Sequence, residues 1–422
     1  MTPPNAVYLI ATLDTKGIEA AFVRDELAAL GVPALVIDAG CQGMPQARAD
    51  ISREEVFQAA GTSLVEMQRL GDRGKAVTSA AQGAAAIITR LHTERRVAGV
   101  FGLGGSAGTT IATAAMRALP LGIPKLMVST LASGQVRPWV GDKDIMMLNA
   151  VVDILGINRI SRLILTEAAR ALAGMVLFAS TRPKSGIPNP KSQIAPDRPL
   201  IAASMFGVTT PCVTRAREVL EEAGYEVVVF HATGNGGQAM ESLIADGLFA
   251  GVLDITTTEL ADELVGGILS AGPDRLTAAG KRGVPQVISV GALDMVNFGP
   301  PETVPDKFKD RQFYRHNATV TLMRTTPDEN RRLGEEVGRK ASAARGPTRI
   351  LLPLRGVSAI DRAGQPFDSP EGRKALFAGI CSTCAGTAVE EIDAHINDPE
   401  FAETAARALL EMLPLALRHR GQ

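Results

Sequence analysis

The chain has little cysteine or histidine, and each shortage closes a class of function. Four cysteines in 422 residues are too few and too scattered for a disulfide framework. Cys41 and Cys212 read as lone thiols, and Cys381 and Cys384 form a single C-S-T-C with no second pair or flanking histidine to complete a zinc site. Five histidines in all argue against a His-rich metal centre, so no metal ligands are assigned. No apolar run reaches the length of a membrane helix, and MTPPNAVYLI lacks the basic start and long apolar core of a secretory signal. The cytoplasm is the expected compartment. Neither sign of charge prevails: 44 Lys and Arg face 45 Asp and Glu, and no basic block is interleaved with aromatics. Nucleic acid and membrane are therefore not expected partners, and a small molecule is.

What is abundant is Ala, Val, Leu and Gly, with 45% hydrophobic residues but only 4% aromatic. That balance suits α/β proteins whose helices pack closely on parallel strands. The length predicts two domains. Residues 180–200, STRPKSGIPNPKSQIAPDRPL, carry five prolines and little periodicity, which places the boundary between domains at 1–185 and 198–422.

Both halves open alike. VYLIATLDTKG, an amphipathic helix, Gly31 and PALVIDAG in the first match LIAASMFGVTT, a second helix, Gly224 and YEVVVFHATGNGG in the other. Gly31 and Gly224 stand where a helix C-terminus wants a left-handed residue. VAGVFGL, KLMVST, AGVLDI, PQVISVG and RILLPL read as further buried strands. The expected fold is two doubly wound, mainly parallel, Rossmann-like α/β domains related by a weak internal repeat. Helical spacing also runs through VVDILGINRISRLILTEAARAL, ELADELVGGILSAG and AETAARALLEMLPLALR, the last read as packing or an oligomer contact.

Ligands of such sheets collect beyond the carboxyl ends of the strands, where helix N-termini direct N–H groups at them. In GLGGSAGTT, Gly102, Gly104 and Gly105 precede Ser106 and Thr109, and the next strand ends in Ser129. Such a loop can wrap an anion; the plain alternative is that its glycines let a helix lie close to the sheet. It lacks the Gly-Lys-Ser/Thr of a Walker loop, and no ribose-binding acid ends the next strand, so NAD is a minority reading. In DTKG, Asp14 or Thr15 can cap the helix, Gly17 permits close approach and Lys16 can neutralise a phosphate. The second half offers another nest in Gly234, Asn235, Gly236 and Gly237. Thr256 and Glu259 have capping-box spacing, as do Thr326 and Glu329. Asp254, Asp294, His316 and Arg355 are the candidate acid, base or electrostatic groups; Arg355 can grip an anion or fasten its loop to Asp361.

LIATLDTKGIEAAFVRDEL, FGLGGSAGTTIATAAMRALPLGIPKLMVST, DITTTELADELVGGILSAGPDRLTAAG and LPLRGVSAIDRAGQPFDSPEG, with GALDMVNFG and HNATVTLMRTTPDE, resemble the Tm-1-like ATP-binding family, also called UPF0261. The resemblance covers nearly the whole chain. It implies two α/β subdomains, ATP bound in the first at DTKG and GLGGSAGTT, with Mg²⁺ as an accompanying ion, and self-association as a dimer. The competing expectation is an enzyme of small-molecule metabolism with its active site between the domains.

Overall fold

The computed structural model describes residues 5–179 and 198–413. Most of the proline-rich boundary segment and the end of the C-terminal helix pattern lie outside the described residues. The chain divides into two compact units, Met1–Ile187 and Pro188–Gln422.

The first unit runs β1 (Ala6–Ala11), α1 (Leu13–Ala29), β2 (Ala34–Asp38), α2 (Arg53–Ala59), α3 (Leu64–Leu70), α4 (Arg73–Thr93), β3 (Val97–Gly104), α5 (Ser106–Arg117), β4 (Lys125–Ser129), α6 (Arg137–Val140), β5 (Met146–Asn149) and α7 (Arg159–Leu177). Its strands lie in the order β2-β1-β3-β4-β5, all paired in parallel. Alternate residues of β1 feed the two faces, as the pleat requires. Val7, Leu9 and Ala11 pack with α1 and α7, whereas Tyr8 and Ile10 pack with the faces of α2, α4 and α5. This sheet is doubly wound.

The second unit runs β6 (Leu200–Met205), α8 (Thr210–Glu222), β7 (Glu226–His231), α9 (Asn235–Ala245), β8 (Gly251–Thr256), α10 (Glu259–Val265), α11 (Ala278–Arg282) and β9 (Gln286–Gly291). It continues through β10 (Met295–Phe298), β11 (Phe313–Arg315), β12 (Thr321–Arg324), α12 (Pro327–Ser342), β13 (Thr348–Pro353), α13 (Pro370–Thr383), β14 (Ala388–Ile392) and α14 (Pro399–Met412). The six-stranded sheet is ordered β14-β13-β9-β8-β6-β7 and wholly parallel. In each unit the opening strand is flanked by the second and third, so the expected repeat is present in the topology. Gly31 (φ 76°) and Gly224 (φ 91°) both adopt the left-handed conformation just past α1 and α8.

Three departures have local causes. ELADELVGGILSAG is helical only to Val265, because Gly266 turns left-handed at φ 98°. VVDILGIN does not extend α7, whose start is fixed by Asn158 in a capping box with Ser161. Between β9 and β13 the chain inserts a three-stranded antiparallel sheet, β10-β12-β11, which strand counting missed because its strands are only three or four residues long. The C-terminal helix is packing: Phe401, Ala405 and Leu409 of α14 are buried in the core against β6 and β8.

Candidate functional site

In the first unit the strand order reverses between β1 and β3, which pair in parallel with Ile10 opposite Gly102. The segments that follow, 14–17 and 105–110, therefore leave the same edge of adjacent strands, and their helices then diverge to opposite faces. That divergence is the usual ligand crevice of an open α/β sheet.

The two helix ends are not alike. The N-cap of α5 is Gly105, and no described side chain caps it, leaving the first-turn N–H groups of Ser106, Ala107 and Gly108 without a side-chain acceptor among the described residues. A Cβ on Gly104 would lie 3.0 Å from the Gly108 Cα, and the Thr130 hydroxyl stands 3.7 Å from where a Gly105 Cβ would be. Ser106 is exposed. Gly102 has the plainer role: a Cβ there would lie 2.5 Å from that of Ala112, so its absence sets the close approach of α5 to the sheet. Thr109 and Ser129 are fully buried and share a 2.7 Å hydroxyl contact, while Ser129 Oγ also accepts from the Leu131 N–H at 3.0 Å. They fasten α5 to β4 and shape the loop rather than line it.

At α1 the expected roles change. Thr12, not Asp14 or Thr15, is the N-cap, without a side-chain cap. The Leu13 N–H donates instead to Asp38 at 3.0 Å, and Gly40 donates to the same oxygen at 2.8 Å. Asp38 is 1% exposed, and burial raises its pKa. Asp14 accepts from the Gln42 and Gly43 N–H groups at 2.9 and 3.3 Å, pinning the loop after β2. Thr15 pairs with the Thr12 hydroxyl at 2.9 Å. Lys16 donates to the Ile154 carbonyl and has left helical geometry at φ −130°, ψ 20°. Gly17 is needed for close packing, since a Cβ would lie 2.8 Å from that of Gln46. Two carboxylates thus stand at the α1 end, where an anion was expected.

In the second unit the glycine nest is already filled. Glu259 accepts from the Gly234 and Gly237 N–H groups at 2.7 and 3.0 Å, and a Cβ on Gly237 would overlap its carboxylate. Asn235 is exposed and Gly236 sits in a tight turn against the His231 carbonyl. The Gly234 to Gly237 loop is therefore not an open cradle, and Thr256–Glu259 is no capping box: Thr256 ends β8 and its hydroxyl meets that of Thr209 at 2.8 Å. Behind Glu259 lies Arg275, fully buried, with Nε 2.6 Å from Glu259 and both Nη atoms on Asp254 at 2.6 and 2.7 Å. Glu241 joins at 3.2 Å. Asp254 is consumed by this ion-pair network and is not placed for proton transfer.

The remaining three candidates are separate. His316 lies in the exposed turn between β11 and β12. Arg355 is exposed and grips Asp393 at 2.8 and 2.7 Å, not Asp361. Asp294 is fully buried just after β9: its Oδ2 accepts from the Ser358 hydroxyl at 2.8 Å, and its Oδ1 has no partner among the described residues. Burial, then the charge of Asp361, push it up to about 7. Asp361 itself accepts from Arg373 at 2.7 Å and from the Val357 N–H at 3.0 Å. His395, overlooked in the sequence, completes this cluster. Its Nδ1 accepts from the Asn397 N–H at 3.1 Å, so Nε2 carries the proton donated to the Ser358 carbonyl at 2.8 Å. Burial lowers its pKa, consistent with a neutral ring.

Comparison with known proteins fits this two-unit frame. The Uncharacterised protein family (UPF0261) N-terminal domain matches residues 5–181, and the C-terminal domain of the same family matches 198–413. The chain belongs to UPF0261. A UPF0261 protein of Clostridium tetani is 51% identical over 96% of this chain and 98% of its own length. The ToMV resistance protein Tm-1(GCR237) of Solanum lycopersicum is 41% identical over 81% of this chain, which spans 45% of that longer protein. Among solved structures, a putative UDP-N-acetylglucosamine 2-epimerase from Listeria monocytogenes covers 97% of the chain at 12% identity with a TM-score of 0.22, too low to bear on ligand or activity. No described helix of this UPF0261 chain is long and apolar enough to cross a membrane.

Proposed function

We propose that this UPF0261 protein binds a nucleotide, ATP in the reading its family resemblance implies, with the phosphates at the N-terminus of α5. One observation carries the proposal: α5 starts at Gly105 without a capping side chain, at the carboxyl end of β3 and beside the strand-order reversal. Uncapped N–H groups and the helix dipole together favour an anion. Asp38 and Asp14 repel phosphate from the α1 side, so the polyanion belongs with α5. Lys16 keeps two ammonium N–H donors beyond the one given to Ile154. Mg²⁺ would come with the triphosphate, held mainly by phosphate oxygens and water. A cytoplasmic homodimer is the setting this reading assumes, and light scattering measures its mass.

Replacing Gly105 by Asp tests the assignment. Gly105 has extended geometry (φ −83°, ψ −152°), which Asp adopts readily, and an N-cap carboxylate would occupy the first-turn N–H groups itself. Calorimetric titration should show ATP affinity falling at least about ten-fold while thermal stability holds or rises. Unchanged affinity removes α5 from the site. A second reading, catalysis in the second unit, has the unpartnered buried oxygen of Asp294 in its favour; turnover of any substrate that survives Asp294→Asn would discard it.

A further inference from the structure

We propose that the inserted antiparallel sheet of the second unit forms a separate binding site for a small organic carboxylate with an apolar body. The site is a cavity of about 430 Å³ against β11 and β12, within the size range of small-ligand pockets. Strand register fixes which side chains face it. Arg315 lies opposite Thr321 and Phe313 opposite Met323, so Phe313, Arg315 and Thr321 share one face of the sheet. Val304 and Pro305, from the segment joining β10 to β11, supply the facing apolar wall.

The polar groups select the ligand's charge. Lys309 and Arg315 line the cavity, are exposed, and have no ion pair or hydrogen-bond partner among the described residues. The one acidic lining residue is Asp306, which leaves a single positive charge in excess. By contrast Arg275 is matched by three carboxylates and Arg373 by two. An independent sign is Thr321, 3% exposed, whose hydroxyl is buried without a partner among the described residues. Buried hydroxyls are ordinarily paired, and a ligand oxygen reaching this wall would pair it. A guanidinium and an ammonium beside an orphan hydroxyl, over Phe313, Val304 and Pro305, match a carboxylate head with an aliphatic or aromatic body.

The test uses the full chain and two probes of similar size that differ in charge, benzoate and benzyl alcohol, titrated by saturation-transfer NMR. Benzoate should bind at least about ten-fold more tightly than the alcohol. Arg315→Gln, at an exposed position and so leaving circular dichroism unchanged, should lower benzoate affinity about ten-fold, and Thr321→Val should lower it further. Saturating ATP should leave benzoate affinity unchanged, since the α5 site is a different one. Equal affinity for the two probes, no saturable benzoate binding, wild-type affinity in both variants, or displacement of benzoate by ATP would each overturn the assignment. The probe comparison and the two variants read the cavity alone, whether or not ATP binds at α5.

Discussion

The carboxylate of Glu259 sits 3.0 Å from the N–H of Gly237 and closes the start of α9 with the chain's own anion. The start of α5 in the first unit, at Gly105, has no such side chain. Two loops that look alike in sequence thus differ in whether a charge from elsewhere in the fold already fills them. Helix N-termini attract any anion, and an internal one held by Arg275 at 2.6 Å excludes an external one.

Glu259→Ala should therefore be among the most destabilising single changes in the second unit. It strands the buried Arg275 with one fewer carboxylate and leaves the Gly234 and Gly237 N–H groups unpaired. Breaking one side of a buried pair costs about 3–5 kcal/mol, which urea denaturation of the variant measures. A loss under about 1 kcal/mol would mean the network is not holding the fold.

Asp294 makes a pH prediction. Its folded pKa of about 7 lies above the ordinary 3.8, so the folded state keeps a proton that the unfolded state releases near pH 4. Its contribution to stability is complete below pH 4, is lost as pH rises toward 7, and is constant above. The slope is at most about 1.4 kcal/mol per pH unit. Asn mimics the protonated acid, so Asp294→Asn should match the wild type near pH 4 and exceed it increasingly up to pH 7. Denaturation midpoints over that range check this, and a pH-independent difference contradicts it. Asp262, also raised to about 7 by burial, should impose a similar slope that survives in the variant.

Thr326 offers a purely local test. Its hydroxyl accepts from the Glu329 N–H at 3.2 Å while Glu329 returns a bond to the Thr326 N–H at 2.7 Å. Thr326→Ala should cost about 1 kcal/mol, read as a lowered denaturation midpoint with no change in ATP binding.

Lys16→Ala should weaken ATP binding less than Gly105→Asp does. Its ammonium is shared with the Ile154 carbonyl, whereas the α5 N–H groups have no competing side chain. Calorimetry on both variants ranks them, and the reverse order would move the phosphates to α1.

What was legible in the sequence was what local rules decide. Strand cores such as Val7–Ala11 and Val97–Leu103 are continuous apolar runs because both faces are covered. Gly31 and Gly224 announce helix ends, and Thr326, Pro327 and Glu329 announce a start. What was hidden depends on distant partners. Glu259 has capping-box spacing from Thr256, yet its partners are Gly234, Gly237 and Arg275, at separations of 25, 22 and 16 residues. Asp38 ends a strand in an ordinary way, and nothing near it in sequence says that it takes the Leu13 N–H. Asp14 and Lys16 stand at a helix start, which is all the sequence shows of them; that Asp14 accepts from Gln42 and Lys16 gives one donor to Ile154 depends on distant segments. His395, in DAHIND, carries no motif at all.

The most direct measurement is the set of backbone amide shifts on adding ATP to the full-length, isotopically labelled protein. The account predicts that the largest changes fall on Gly105 to Thr109 and that Gly234 to Gly237 stay still. Shifts concentrated at Gly234 to Gly237, with Gly105 to Thr109 unmoved, would contradict it.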